Sequence, residues 1–161
     1  MDTTIAFRPI GVIHTPDAEL GGMPVQAIGA RGIAGWIDLD PALQEGLADL
    51  DGFSHVILLY HLHEMTGSRL TVTPFLDTVP HGLFATRSPA RPNPIGLSTV
   101  RLAGIRGARL DIEDVDILDG TPLLDIKPYV PGLDDRANPR IGWYEGKLEH
   151  LDEVRADRRF A

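Results

Sequence analysis

The segment from His81 to Arg101 constrains the fold of this chain most, because three prolines lie within fourteen residues of its start. Its sequence is H-G-L-F-A-T-R-S-P-A-R-P-N-P-I-G-L-S-T-V-R. Proline fixes φ, removes a backbone donor and pushes the preceding residue toward extended geometry, so this segment cannot be helix interior. The apolar residues before the prolines and the alternating residues after them predict a stiff loop between two strands.

Two arginines of this loop, Arg87 and Arg91, are four residues apart. Guanidinium groups grip planar anions such as carboxylate or phosphate with paired hydrogen bonds, so the loop is predicted to bind. Two other interpretations remain open. The arginines can be solvated side chains of a rigid surface loop. Pro89-Ala90-Arg91-Pro92 also matches a PxxP ligand, although such ligands usually lie in disordered tails rather than between strands.

The length and composition indicate one globular domain. The chain has 161 residues, and 43% of them are hydrophobic, which is enough for a core. No apolar run approaches the ~18 residues of a membrane span, and Met1-Asp2-Thr3-Thr4 lacks the basic region of a signal peptide. A cytoplasmic location is therefore expected. The chain has no cysteine, which excludes disulfides, a thiolate nucleophile and cysteine-ligated zinc.

The charge distribution points in two directions. A formal net charge of −8 argues against nonspecific binding to polyanions such as nucleic acid. Between Thr78 and Leu110, however, there is no Asp or Glu. The same segment contains five arginines: Arg87, Arg91, Arg101, Arg106 and Arg109. If they converge, they form a basic face on an acidic body.

Short β-type patterns recur along the chain. Strands are predicted at Ile5 to His14, Ile33 to Leu39, Phe53 to Glu64, Leu70 to Leu76, Gly82 to Thr86, Leu97 to Ile105 and Leu110 to Leu118. The turn Asp119-Gly120-Thr121-Pro122 is predicted to mark the end of the sheet. The expected fold class is all-β, with a single β-barrel-like domain of about six to eight short strands and one or two short helices.

The remaining segments are predicted as connections and helices. Asp40-Pro41 resembles an N-cap followed by a first helical residue and opens a short helix through Leu47. Residues 17 to 32 form a long connection, which is usually functional in a compact domain. Lys147 to Phe160 has the spacing of an amphipathic helix. The predicted organisation is a barrel domain over residues 1–142 and a C-terminal helical tail over residues 143–161.

Histidines offer one alternative site. His61 and His63 would point to the same face of a strand, with Glu64 on the other, and His81 precedes the proline loop. Paired histidines on a barrel strand can ligate zinc or iron. The spacing places no third ligand, so hydrogen-bonded histidines without a metal are the favoured interpretation.

Four motifs carry a resemblance to a known family. They are Ile10-Gly11-Val12-Ile13-His14-Thr15-Pro16, Gly52-Phe53-Ser54-His55, Ala85-Thr86-Arg87-Ser88 with Arg91-Pro92-Asn93-Pro94-Ile95-Gly96, and Asp119-Gly120-Thr121-Pro122 with Asp125-Ile126-Lys127-Pro128-Tyr129. Over about residues 5 to 131 the chain resembles the TsaA-like (TrmO-type) family. These are β-barrel, S-adenosylmethionine-dependent methyltransferases that methylate N6-threonylcarbamoyladenosine beside the anticodon of tRNA. The resemblance implies methyl transfer, S-adenosylmethionine as cofactor, tRNA as substrate and a homodimer.

The resemblance also implies site residues. The implied cofactor contacts are Pro24, Val25, Gln26, His63, Glu64, Arg87, Leu97, Asp119, Gly120, Thr121 and Pro122. The family has Pro-Arg-Gln where this chain has Pro24-Val25-Gln26, and longer members carry an extra C-terminal domain. Arg91 and Asn93 are assigned to the substrate, because Arg91 can pair with a carboxylate or phosphate and Asn93 can hydrogen-bond a base edge.

Methyl transfer to a nitrogen also needs a proton acceptor. Glu64, Asp119 and His63 are candidates, and the sequence does not rank them, so the catalytic residue is left unassigned. Two other functions stay open beside the methyltransferase. One is a metal-dependent small-molecule enzyme that uses His61, His63 and His81. The other is a noncatalytic module that binds S-adenosylmethionine.

Overall fold

The structure is a computed structural model that describes residues 3–16 and 30–148. Within these residues, six antiparallel strands close a barrel in the order β1-β2-β7-β6-β3-β8. The barrel strands are β1 (Gly11–His14), β2 (Ala34–Leu39), β3 (His55–His61), β6 (Ile95–Arg106), β7 (Arg109–Glu113) and β8 (Thr121–Pro128). A separate two-stranded sheet pairs β4 (Thr71–Val72) with β5 (His81–Gly82). The all-β, barrel-like prediction is confirmed.

Alternation along the strands fills the barrel interior. Val56, Leu58 and Tyr60 of β3 are buried, while the residues between them are half-buried on the outer face. Side chains of a strand point to opposite faces in turn, so one face of each strand supplies the core. The core residues are Ile13, Ile37, Leu39, Val56, Leu58, Tyr60, Val100, Leu110, Ile112, Val115, Ile117 and Leu123. No helix in the described part of the chain is long and apolar enough to cross a membrane.

The prediction that the sheet ends at the turn Asp119 to Pro122 is wrong. The turn instead leads into β8, which pairs with β1 on one side, at Ile13 opposite Thr121, and with β3 on the other, at Leu59 opposite Asp125. β8 therefore closes the barrel. A turn signature marks a reversal of the chain, and here the chain reverses into one more strand.

Two predicted strands are shorter than expected or absent. Only Thr71 and Val72 of the run from Leu70 to Leu76 are in a strand, since Pro74 cannot donate to a ladder. The run from Gly82 to Thr86 forms a 3₁₀ turn at Leu83–Ala85. There the Thr86 hydroxyl donates to the Leu83 carbonyl at 2.8 Å, and such local bonding competes with strand pairing.

The chain ends and the predicted helices differ in detail. The first strand begins at Gly11 rather than Ile5, after Pro9. Asp40 caps a helix as predicted, because its Oδ1 accepts from the Ala42 amide at 2.9 Å, but the helix is 3₁₀ over Pro41–Leu47. A four-residue helix, α1, spans Pro131–Asp134. The predicted helix from Lys147 to Phe160 lies outside the described residues after Leu148.

The antiparallel order brings several loops to one end of the barrel, which we call the upper rim. It is defined by the ends of β1, β3 and β7 and the starts of β2, β6 and β8. The proline loop enters β6 here, and the turn from Asp119 to Pro122 enters β8 here. His63 and Glu64 follow β3 at the same rim. Topology alone therefore gathers loops that are far apart in the sequence.

Gly96 of β6 is a position where a neighbouring side chain leaves no room for a Cβ. It lies opposite Tyr60 of β3 in the strand register, and a Cβ at Gly96 would overlap the Tyr60 ring. We predict that Gly96→Ala lowers the free energy of unfolding by ~1–3 kcal/mol through overpacking. Urea unfolding measures this change.

Gly82→Ala is the matched control. A Cβ at Gly82 meets no atom within 4 Å, and the φ of Gly82 is −59°, which alanine adopts freely. Equal urea midpoints for Gly96→Ala and the wild type would show that the Tyr60 ring can move aside.

Candidate functional site

A chain of three polar groups lies at the upper rim. The Ser98 hydroxyl donates to Oδ1 of Asp116 at 2.7 Å, and it lies 3.0 Å from the Tyr60 hydroxyl. Because the single Ser98 proton goes to Asp116, the Tyr60 hydroxyl is the donor to Ser98. Ser98 and Tyr60 are 4% and 7% exposed. The three groups therefore form an oriented relay that runs from the barrel interior to Asp116.

Burial sets the proton affinity of this relay. It raises the pKa of the Asp116 carboxyl, while the Ser98 hydrogen bond and the Arg87 guanidinium act in the opposite direction. Burial also raises the pKa of the Tyr60 hydroxyl, with the Asp116 charge as the next cause. Desolvation disfavours the charged form of both groups. Asp116 is therefore a more basic carboxylate than a solvated one.

The proline loop is held together by its own polar groups. Nη1 of Arg91 donates to the carbonyls of Thr86 and Ser88 at 3.1 and 3.3 Å. The Ser88 amide donates to the Thr86 hydroxyl at 3.2 Å. The Arg91 guanidinium also lies over the exposed ring of Phe84, 5.6 Å from its centroid. Nη1 of Arg91 thus stabilises the loop. The contact of Arg91 with the substrate stays a prediction.

Arg87, in the same loop, is exposed and acts electrostatically on the relay. Its charge lowers the pKa of both Asp116 and Tyr60. The charge of this predicted cofactor-site residue therefore acts on both acidic groups of the relay. Asn93, the second predicted substrate residue, is exposed, and its carbonyl accepts from the Ile95 amide at 2.8 Å.

The turn from Asp119 to Pro122 uses its side chains to hold the rim. Oδ1 of Asp119 accepts from the Thr15 amide at 3.1 Å and lies 3.2 Å from Nδ1 of His14. Thr121 is buried, and its hydroxyl donates to the Leu118 carbonyl at 2.7 Å. Gly120 has a φ of +76°, which favours glycine. A cofactor contact through Oδ1 of Asp119 or the Thr121 hydroxyl would share that atom with these bonds. Gly120 offers its backbone to a ligand, and Pro122 offers its ring.

His63 and Glu64 lie just after β3, with Nε2 and Oε1 3.4 Å apart. The prediction that His61 and His63 share a strand face is wrong, because β3 ends at His61. Over residues 3–16 and 30–148, no three His, Asp or Glu side chains come together to hold a metal ion. The metal-dependent alternative therefore gains no support from the structure.

The other predicted cofactor residues have different surroundings. Leu97 is on the outer face of β6, 53% exposed and opposite Leu59 of β3. Its neighbour Ser98 points inward. Pro24, Val25 and Gln26 lie outside the described residues. They belong to the segment that joins the end of β1 to the start of β2, both at the upper rim.

Only part of the predicted basic face is present. Arg101 pairs with Glu113. Arg106 donates two bonds from Nη2 to Asp111, at 2.7 and 3.0 Å. Nε of Arg109 lies 3.4 Å from the same carboxylate. The two acids of β7 thus pair with three of the five arginines, so these three do not form an open basic face with Arg87 and Arg91.

A second cluster joins the end of the described chain to the β4–β5 sheet. Asp77 accepts from Nε2 of His81 at 2.9 Å and also pairs with Lys147. These partners, Lys147 first, lower the pKa of the Asp77 carboxyl. Trp143 stacks on His81 with ring centroids 4.5 Å apart, and its Nε1 donates to the Ala85 carbonyl at 2.7 Å. His81 is therefore part of a packing cluster beside the proline loop.

The sequence predicted the loops of the rim but missed the relay of Tyr60, Ser98 and Asp116. A signal for Tyr60 was present, since a glycine within a strand, here Gly96 near the start of β6, indicates close approach of another group. No comparable signal identified Asp116, which lies in a run of five acidic residues from Asp111 to Asp119.

The family model for the tRNA-methyltransferase O N-terminal domain matches residues 12–135, a range that includes the barrel from Val12 of β1 onward and the loops of its upper rim. The chain belongs to this family. The resemblance carried by the four motifs is thereby confirmed.

Three relatives show how widely the chain matches. It is 53% identical to a probable S-adenosyl-L-methionine-binding protein of Pyrococcus abyssi, over 97% of this chain and 85% of that protein. It is 39% identical to the crystal structure of TrmO from Pseudomonas aeruginosa, with a TM-score of 0.74, over 88% of this chain and 63% of that one. It is 39% identical to a mouse tRNA (adenine(37)-N6)-methyltransferase, over 59% of this chain and 23% of that protein. The chain thus spans most of the first relative but less than two thirds of the others.

Proposed function

We propose that this protein is an S-adenosylmethionine-dependent methyltransferase that methylates N6 of threonylcarbamoyladenosine next to the anticodon of tRNA. The observation that carries the proposal is the family match over residues 12–135, a range that covers every loop of the upper rim. The cofactor is supported by relatives named for binding S-adenosyl-L-methionine. The acceptor is supported by the family description and by the name of the mouse relative.

The rim suits this chemistry. Methyl transfer from a sulfonium is an in-line displacement in which an enzyme mainly supplies orientation, with a contribution of up to ~7–11 kcal/mol. A closed barrel and a loop stiffened by prolines and by Arg91 hold such an orientation. In this proposal Arg87, His63, Glu64 and the turn at Gly120 face the cofactor. Arg91 and Asn93 face the tRNA.

We also propose that the protein acts as a homodimer in the cytoplasm, where its tRNA substrate is found. Apolar side chains on the outer face of the barrel support the dimer. Ile95 and Leu97 are 40% and 53% exposed, and they lie opposite His61 and Leu59 of β3. Exposed apolar side chains that lie together mark interaction surfaces, and a twofold interface would cover the same patch on both copies.

The dimer proposal predicts that Leu97→Glu yields a monomer, because a carboxylate at the centre of an apolar interface is left without water or a partner. Sedimentation velocity of the variant and the wild type measures the change. Leu43→Glu is the control, since Leu43 is 42% exposed on the 3₁₀ helix after β2, away from this patch. A wild-type protein that sediments as a monomer at micromolar concentration would exclude the dimer.

The cofactor site predicts that Arg87→Ala weakens S-adenosylmethionine binding more than Arg106→Ala does. Loss of a charged hydrogen bond inside a site typically costs ~1.5–3 kcal/mol, or about 10- to 150-fold in affinity. Arg106 is the matched control, because its side chain is 71% exposed and pairs with Asp111, and such surface pairs contribute ~0–1 kcal/mol. Isothermal titration calorimetry measures both affinities. Equal dissociation constants for the two variants would remove Arg87 from the site.

The substrate assignment is tested by incubating the protein with labelled S-adenosylmethionine and tRNA that lacks only this methyl group. Nucleoside mass analysis should show N6-methylated threonylcarbamoyladenosine. With Arg91 as a phosphate contact, the logarithm of activity at subsaturating tRNA should fall against the logarithm of salt with a slope of roughly −0.7 to −0.9 per subunit. Cofactor binding without any product would instead indicate a noncatalytic S-adenosylmethionine-binding module or another acceptor.

A further inference from the structure

The proposed cofactor and substrate sites assign no role to the Asp116 carboxylate. It lies between β7 and β8, and its Oδ1 accepts from Ser98 at 2.7 Å. A carboxylate that is taken out of water needs a compensating partner. Ser98 and, electrostatically, Arg87 provide that compensation. Such an arrangement costs stability, and carboxylates with a perturbed pKa cluster at functional sites.

The other acidic groups of the rim are differently placed. The side chain of Glu64 is 59% exposed beside His63. Asp119 is 43% exposed, and its Oδ1 accepts from the Thr15 amide and contacts His14. Of these three carboxylates, Asp116 is the one that is half-buried and accepts a hydrogen bond from a buried hydroxyl, that of Ser98. Burial raises the pKa of Asp116, so its surroundings favour uptake of a proton.

We propose that Asp116 accepts the proton that the substrate nitrogen loses during methyl transfer, with Ser98 and Tyr60 as positioning residues. The inference rests on the proposed function. In the step, the nitrogen forms a bond to the methyl carbon while the carbon–sulfur bond breaks. The bonding pair stays on sulfur and leaves neutral S-adenosylhomocysteine. The N–H proton passes to the Asp116 carboxylate, which later releases it to solvent.

The relay explains how the carboxylate keeps its orientation. The Tyr60 hydroxyl donates to Ser98, and Ser98 donates to Oδ1, so both protons of the relay point toward Asp116. A carboxylate has further lone pairs with which to accept a proton from a substrate. The charged and titratable groups that act on Asp116 are Arg87 from the proline loop and Tyr60 from β3. Arg87 favours the ionised form that a base requires.

The proposal predicts that Asp116→Asn slows single-turnover methyl transfer by about 10²- to 10⁴-fold, while the dissociation constant of S-adenosylmethionine changes less than threefold. Asp49→Asn is the control. Asp49 follows the 3₁₀ helix at the opposite end of the barrel and has a φ of 66°, which asparagine tolerates. Circular dichroism and thermal unfolding establish that each variant is folded.

The pH profile separates a base from a structural residue. The wild-type rate should rise with pH through the raised pKa of Asp116 and then level off, because only the ionised carboxylate accepts a proton. Ser98→Ala removes a bond that lowers the pKa of Asp116, so its profile should shift to higher pH. A structural role would lower the rate without this shift. Ser98→Ala also keeps the test decisive if Asp116→Asn fails to fold.

The outcomes are distinct. An active wild type with an equally active Asp116→Asn, or with an unshifted Ser98→Ala profile, would overturn the base role and leave the proposed function in place. Loss of cofactor affinity in Asp116→Asn with an unchanged transfer rate would make Asp116 a cofactor ligand and would also overturn the inference. A wild type that binds cofactor but methylates no tRNA would overturn the proposed function, and the base role with it.

Discussion

Closure of the barrel by β8 is the constraint on which the other features depend. β8 hydrogen-bonds to β1 on one side and to β3 on the other. Without it, both strands would present unpaired edges. Closure also fixes which side chains point inward and how far neighbouring strands are staggered. That stagger extends the first half of β6 past the end of β7, so that Ser98 lies beside the segment that carries Asp116.

The buried side chain of Tyr60 explains the identity of several neighbouring residues of β6. Tyr60 is a large buried residue whose hydroxyl needs a partner. Gly96 leaves room for its ring, and Ser98, two residues further along the same face, bonds its hydroxyl. Leu97, between them, faces outward. The sequence I-G-L-S after the proline loop is therefore explained by one contact with β3 and by the alternation of a strand.

The alternation of inward-facing and outward-facing residues made β3 and β6 predictable, because it continues without interruption over many residues of each strand. It failed for Asp116 for a physical reason. Leu110 and Ile112 are buried in β7, and Val115 and Ile117 are buried after it, so the phase shifts by one residue between the two pairs. The shift occurs at Asp114, which has a φ of 63°. After the shift Asp116 lies between two buried residues, which is the position of an outward-facing, solvated side chain. The contact that distinguishes it, the hydrogen bond from Ser98 of β6, comes from a distant segment and is not visible in the local pattern.

The motifs located the site better than they assigned its atoms. The proline loop and the turn after residue 118 do meet at the upper rim, as the resemblance implied. However, several of their polar side chains hold the rim itself: Arg91 bonds two loop carbonyls, and Asp119 holds the Thr15 amide. A sequence motif does not distinguish a residue that contacts a ligand from one that shapes the loop around it. Side-chain geometry is needed for that distinction.

The local arrangement of charged side chains matters more in this protein than the net charge of the chain. The arginines in the second half of β6 and the start of β7 are paired with acids of β7, so that face is close to neutral. Arg87 acts instead on the half-buried carboxylate of Asp116 and lowers its pKa against the effect of burial. The influence of a charge on a partly buried group depends steeply on distance and on desolvation. The position of the proline loop therefore sets both the positive charge available to a ligand and the proton affinity of Asp116, and a movement of the loop would change the two together.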